Sequence, residues 1–314
     1  MFGSLGALFE PVGSIICYVA MGCIIKRKGI LRGEALGYFH RFIFYFALPL
    51  LQFKNVYECD LAKSFDLKLL LYMNAMVVIM MLTAMAAVRR YVRSRERRGI
   101  IVQAVVRGNA IAFGMPVVLM ICPETYVGKV AITYSLMFPI INIVSIAVLQ
   151  WYKTNPGKMT DFLKKTLLNP IFLGAVAGAV LNGLGISVAK ILYDPIKSIG
   201  AMGAPLAFIV LGASFDKFSA HRDISTVSMV LLMKLVVVPA ICITIGYFLI
   251  GLRNEQILAL TGFFATPCAV SSVSTARAMG YDDILMEEVV AYSTVIGCIT
   301  ISAWIAGLTA LGLI

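Results

Sequence analysis

Asn109-Ala110-Ile111-Ala112-Phe113-Gly114-Met115-Pro116 lies in the middle of an apolar run, and its reading decides the fold. Glycine leaves the backbone loose, while proline lacks an N–H, clashes with the preceding turn and disfavours helix at the residue before it. Yet residues 100–122 around it carry no charge except Arg107. The same interruption recurs far along the chain at Phe263-Phe264-Ala265-Thr266-Pro267-Cys268-Ala269. One proline in an apolar helix is a kink. Two broken helices point to a site, because loose backbone in hydrocarbon must be buried or line a cavity.

Working outward, 60% of the residues are hydrophobic and only 14% are charged, with a mean hydropathy of +0.91. A soluble domain of this length needs far more polar surface. A hydrocarbon layer about 30 Å thick needs roughly 20 apolar residues per spanning helix. Thr166–Ala189, Ile257–Ala276 and Val289–Ile314 contain no charge, and Val130–Tyr152 contains none before Lys153. The runs and their breakers predict an all-α polytopic membrane protein. Its ten helices fall over 8–27, 35–53, 67–90, 100–122, 126–152, 166–186, 196–216, 224–251, 255–279 and 286–313. Met1–Glu10 lacks a basic stretch and no small-residue cleavage site follows, so the first run reads as a retained helix.

The net charge of +11 does not mark a nucleic-acid binder, because the basic residues cluster between apolar runs rather than along a polar face. Their distribution orients the chain instead. One side holds 18 of the 27, including the Arg89–Arg98 cluster, Lys153 and Lys158. The other side holds Lys54, Lys63, Lys68, Lys129, Lys190, Lys197 and Arg253. The positive-inside rule places the first set in the cytoplasm and both termini outside, in a plasma (inner) membrane. Arg107 and Lys234 fall within predicted helices. Seven cysteines and two histidines supply neither a disulfide framework nor a metal-ligand spacing, although Cys59 and Cys122 lie near one predicted face. An enzyme is hard to build from this inventory.

The polar connection Lys153–Lys165 divides the chain into five helices and five helices: residues 1–155, a cytoplasmic connection at 156–165, and residues 166–314. An odd number per half makes the second half enter the membrane in the opposite sense, the condition for an inverted repeat. Ala47-Leu48-Pro49-Leu50 in the second helix is matched by Gly203-Ala204-Pro205-Leu206 in the seventh. The fourth and ninth helices correspond likewise. Half-helices starting near Pro116 and near Cys268 would each present free N–H groups and about half a positive charge at mid-membrane, a cradle for an anion.

These residues resemble the auxin efflux carrier family of bacterial permeases and plant PIN carriers. Arg107-Gly108-Asn109 followed by Gly114 and Pro116 is similar to its fourth-helix signature. Asn169-Pro170, Ala204-Pro205-Leu206 leading to Leu211-Gly212-Ala213-Ser214, and Lys234 followed by Pro239 resemble its second-half signatures. Thr266-Pro267-Cys268-Ala269-Val270-Ser271-Ser272 resembles its ninth-helix motif. The resemblance implies a bile-acid-symporter/NhaA-like fold with broken, crossing helices 4 and 9. It also implies an elevator-type exchange that carries a malonate- or malate-like carboxylate or, in plants, auxin. The short central connection favours a bacterial-type metabolite permease over an auxin carrier.

The candidate substrate-binding residues are Asn109, Phe113, Gly114, Met115, Pro116, Thr266, Pro267, Cys268 and Ala269 at the breaks, with Gln52, Ser214 and Lys234. The Asn109 amide either donates to a carboxylate or stabilises the break. Lys234 is too deep to reach water easily, so it either pairs with substrate or holds a scaffold contact. No intramembrane Asp or Glu stands out as its partner. No GxxxxGK[ST] loop occurs, so direct ATP hydrolysis is not expected. The chain needs no cofactor; the coupling ion stays open between H+, Na+ and none, and a homodimer is the assembly carriers of this kind often take. A sodium-coupled organic-anion symporter and a ligand-sensing membrane receptor are the rival readings.

Overall fold

The computed structural model describes residues 14, 17–31, 33–60, 64–153, 168, 170–213, 223–281 and 284–314. Apolar runs in which each backbone group must find its partner locally form helices, and every regular element among the described residues is helical. Residues 17–27 are helical. They are followed by α1 (Gly33–Phe42), α2 (Leu48–Tyr57), α3 (Leu67–Tyr91), α4 (Arg95–Val106), α5 (Met115–Ile121), α6 (Glu124–Tyr152) and α7 (Pro170–Gly183). Then come α8 (Lys190–Ala213), α9 (Ile224–Leu232), α10 (Val238–Ile245), α11 (Glu255–Phe264), α12 (Ser271–Ala278) and α13 (Ile284–Ala310). Leu67–Tyr91, Glu124–Tyr152, Ile224–Ile250 and Ile284–Ala310 are each long and apolar enough to cross a membrane. The chain is thus an all-helical, multi-pass membrane-type protein. Its fourth helix begins at Arg95 rather than near 100, because Ser94 caps it by accepting from the Arg97 N–H.

Three prolines explain a recurrent local detail. Wide π-turns at Ile43–Ala47, Ala110–Gly114 and Met233–Val237 each end two residues before a proline, namely Pro49, Pro116 and Pro239. A proline ring collides with the carbonyl four residues back, and the extra residue of a π-turn opens that turn. In two of them the i→i−5 bond is seen directly, Leu48 N–H to Ile43 O and Val238 N–H to Met233 O. Pro116 is therefore absorbed inside a continuing helix, and the fourth helix breaks elsewhere.

The described residues form two compact units, each drawn from both halves of the sequence. The first takes those of Met1–Asp66, Ile111–Ser135 and Leu168–Phe218. It is built on close backbone approach. A methyl added at Gly174 of α7 would strike the carbonyl oxygen of Pro49 on α2, and one at Gly178 would lie 2.6 Å from that of Phe53. Gly22 and Gly212 make the same kind of contact with Ile209 and Val19. The end of α2 is closed by Asn182, whose Nδ2 donates to the carbonyls of Val56, Tyr57 and Cys59 at 3.1, 2.9 and 2.6 Å. Beside that end, burial works against the Glu58 carboxylate, but the Tyr193 hydroxyl and the ammonium groups of Lys54 and Lys197 outweigh it and hold the carboxyl below its ordinary range. Cys59 and Cys122 are both free thiols, as are the other five cysteines.

The second unit takes the described residues of Leu67–Ala110, Leu136–Leu167 and Ser219–Ile314. Polar bonds between helices are frequent in it. The Tyr72 hydroxyl donates to Cys242 O at 2.5 Å, and Gln103 Nε2 donates to Ser145 Oγ at 2.9 Å. Pro239 deprives Leu235 O of its usual helical donor, and the Trp304 indole N–H supplies one at 2.9 Å. At one end of the unit Lys153 Nζ donates to Glu96 Oε1 (2.8 Å) and to Gly280 O (2.5 Å) and stands over the Tyr281 ring. Burial, with Glu96 nearby, pushes the Tyr281 phenol up to about 12.

A candidate anion site at the helix breaks

Helix α4 stops at Val106 because the next residue, Arg107, is extended (φ −85°, ψ 99°). Gly108 then pairs in antiparallel fashion with Cys268. The Asn109 N–H donates to Pro267 O at 2.8 Å, and the Ala269 N–H donates to Arg107 O at 3.2 Å. Backbone freed by one break is satisfied by the other, which is how irregular chain survives in an apolar interior.

Gly108 is required by what crowds it. A Cβ there would meet Thr266 Oγ1, and would lie 3.0 Å from Lys234 Nζ and 3.2 Å from Phe263 O. Lys234 arrives from the π-turn Met233–Val237 and is 1% exposed. Thr266 is buried and donates its hydroxyl to Phe263 O at 3.0 Å. Asn109 is half-buried beside the bridge.

Arg107 is 6% exposed, and all its acceptors are neutral. One terminal nitrogen donates to Asn142 Oδ1 (2.5 Å) and Ser271 Oγ (3.0 Å), the other to Thr275 Oγ1 (3.0 Å). Asn142 is itself held by its Nδ2 donating to Phe138 O at 2.7 Å. Among the described residues no carboxylate pairs with Arg107 or Lys234; the ion pairs of the second unit are Arg97–Asp223 and Lys153–Glu96. Helix α13 shapes the other break. Ser293 Oγ accepts the Cys268 N–H at 3.0 Å, and Gly297 leaves room for the Pro267 ring.

The second unit thus brings together Asn109, Thr266, Pro267, Cys268, Ala269 and Lys234 from the residues singled out by sequence. Phe113, Gly114, Met115 and Pro116 belong to the first unit, where they are buried and Phe113 meets Phe208 edge-on at 5.6 Å. Gln52 is buried there too, its Nε2 donating to Ser135 Oγ at 2.8 Å. Ser214 lies outside the described residues.

Four expectations change. The half-helices start at Ala110 and Ser271, not near Pro116 and Cys268. The N–H groups of Cys268 and Ala269 are already taken by Ser293 and Arg107. Arg107 does not sit within a helix but at the break, buried. A buried carboxylate is also present, since Glu288 lies near the start of α13 at 8% exposure. Neither Arg107 nor Ser293 was placed at the site by sequence. The signal for Arg107 was its position next to Gly108. Ser293 had none, being 25 residues from its partner on another helix.

Interrupted helices stitched to each other inside an all-helical, multi-pass membrane-type protein fit a membrane transporter. A family model described as "Membrane transport protein" matches residues 7–161 and 156–305. The chain belongs to this family, the auxin efflux carrier family of transporters, and is not an enzyme. An uncharacterized transporter of Methanothermobacter thermautotrophicus is 23% identical over 309 residues, covering 94% of this chain and 96% of that protein.

Proposed function

We propose that the protein is a secondary carrier of a small organic anion, a malonate- or malate-like carboxylate, and that the anion binds in the second unit against Arg107, Lys234, Asn109 and Thr266. One observation carries this reading: two cations buried at the Gly108–Cys268 bridge with no paired carboxylate among the described residues. Each buried charge costs several kcal/mol unless compensated. A carboxylate entering from water relieves both.

The two family-model segments, meeting near residue 160, support a 5+5 inverted repeat of ten helices divided at 156–165. Broken fourth and ninth helices would cross at its centre. The concentration of both cations in the second unit supports an elevator-type exchange in which that unit is the moving part. The positive-inside pattern supports both termini outside, and a homodimer is the assembly we propose.

A thermal-shift screen of the purified protein against mono- and dicarboxylates, followed by counterflow of any hit in proteoliposomes, tests the function. Asn109→Ala with Thr266→Ala should weaken binding of the hit by about tenfold or more, the loss of one or two hydrogen bonds to a charged group. Unchanged affinity would displace the site, and absence of counterflow for every carboxylate would remove the carrier reading.

A further inference from the structure

Arg107 and Lys234 differ in how the protein accommodates them when no anion is bound. The guanidinium keeps its proton in any protein setting, and it is wrapped by the neutral oxygens of Asn142, Ser271 and Thr275. Its charge is permanent, and three of its five donors are held by those oxygens. Lys234 has no such wrapping. It makes no hydrogen bond or ion pair among the described residues, it is buried, and its head stands beside Gly108 and Thr266, where the anion is placed. An ammonium has three donors and can shed its proton, which a guanidinium cannot.

We infer that Lys234 carries a proton across the membrane with each anion, which makes the protein a proton–anion symporter. The inference rests on the carrier reading above and adds the coupling ion to it. With the carboxylate bound, the ammonium is its counter-ion and the pair moves together. On release, R–NH3+ gives its proton to water and becomes R–NH2, and the empty site returns with the neutral amine. One proton accompanies each anion, so a monoanion crosses without net charge.

Four helices and the second break pack around the Lys234 turn. Helix α4 brings Arg107 at its end, and α9 brings none between Ile224 and Leu232. Helix α10 brings Cys242, and the break brings Cys268; both thiols interact electrostatically with Lys234. Helix α13 carries Glu287, Glu288, Tyr292 and Cys298. Glu288 is the rival carrier, but it lies five residues, about 7 Å of helix, from the Ser293 that touches the break.

The test uses proteoliposomes with a trapped pH indicator and radiolabelled malonate, malate and lactate. In the wild type, uptake of the carboxylate that shows counterflow should acidify the lumen by one proton per anion. An inward gradient of about one pH unit, with the potential clamped, should raise its accumulation about tenfold. Lys234→Arg, a charge that cannot be shed, should lower the ratio of net uptake to exchange by about tenfold and abolish acidification. Glu288→Gln should keep acidification. Wild-type uptake without proton movement overturns the inference, and this reading needs no variant to fold. So does a wild-type ratio in Lys234→Arg, or loss of acidification in Glu288→Gln with its retention in Lys234→Arg. Failure of all three carboxylates to exchange would instead overturn the carrier reading on which the inference stands.

Discussion

Gly174 and Gly108 share a constraint and differ in what imposes it. At Gly174 a methyl would strike the peptide carbonyl of Pro49, backbone that cannot move without its helix. At Gly108 it would strike the Thr266 hydroxyl and come to 3.0 Å from the end of the Lys234 side chain. The first glycine lets two helices touch, which is how membrane helices pack without a hydrophobic driving force between them. The second makes room for a buried cation. Close approach alone therefore does not mark a site. The chemistry of the approaching atom does.

The sharpest way to break this comparison is to fill both positions. Gly174→Leu should cost the fold itself, seen as a loss of about tenfold or more in monodisperse protein, since overpacking against backbone has no local escape. Gly108→Ala should leave a monodisperse protein and lower carboxylate uptake instead, because what must give way there is the Thr266 hydroxyl, with the head of Lys234 in tight contact beside it. Equal loss of folded protein in both would show that Gly108 is only a packing glycine.

Arg107→Gln sharpens the contrast at intermediate size. Glutamine can still donate to a neutral oxygen such as Asn142 Oδ1, so thermal stability should change little. Carboxylate affinity should fall about tenfold to a hundredfold, the about 1.5–3 kcal/mol of a charge-assisted bond. A fall in stability without a fall in affinity would make Arg107 a structural clamp.

The smallest effect lies outside the membrane. Asp223 caps α9 by accepting from the Thr226 N–H and hydroxyl, which with Arg97 holds its carboxyl below the ordinary aspartate range. A depressed carboxyl stabilises the folded state above the unfolded-state value, and that contribution is lost as pH falls through the folded one. Asp223→Asn keeps the cap and removes the charge, so it should lower stability by about 0.3–1 kcal/mol at neutral pH. The difference from wild type should vanish in acid. A difference that persists below the aspartate range would assign the effect to geometry rather than charge.

Much of this was legible in the residues, for physical reasons that also mark where legibility ends. Apolar runs report helices directly, so 67–90 and Leu67–Tyr91, or 224–251 and Ile224–Ile250, nearly coincide. Gly174-Ala175-Val176-Ala177-Gly178 reads as a packing surface and is one. The break in the fourth helix was placed several residues late, because Pro116 is the stronger local signal but a π-turn absorbs it. The true break at Arg107–Asn109 depends on a partner strand of chain more than 150 residues away, at Pro267–Ala269. Arg107 reads as a residue within a helix for the same reason. That each unit draws on both halves of the chain is a property of contacts, which no run of residues displays.

The bond from the Trp304 indole to Leu235 O reaches beyond the repair of one proline turn. Leu235 is the neighbour of Lys234, so an indole sits hydrogen-bonded to the peptide next to the charge at the seam. The chain has only one other tryptophan, Trp151, which is 58% exposed at the far end of α6. The protein therefore carries its own optical gauge: one emitter faces the surroundings and serves as reference, and the other stands hydrogen-bonded beside Lys234, where it reports on that charge without any attached dye.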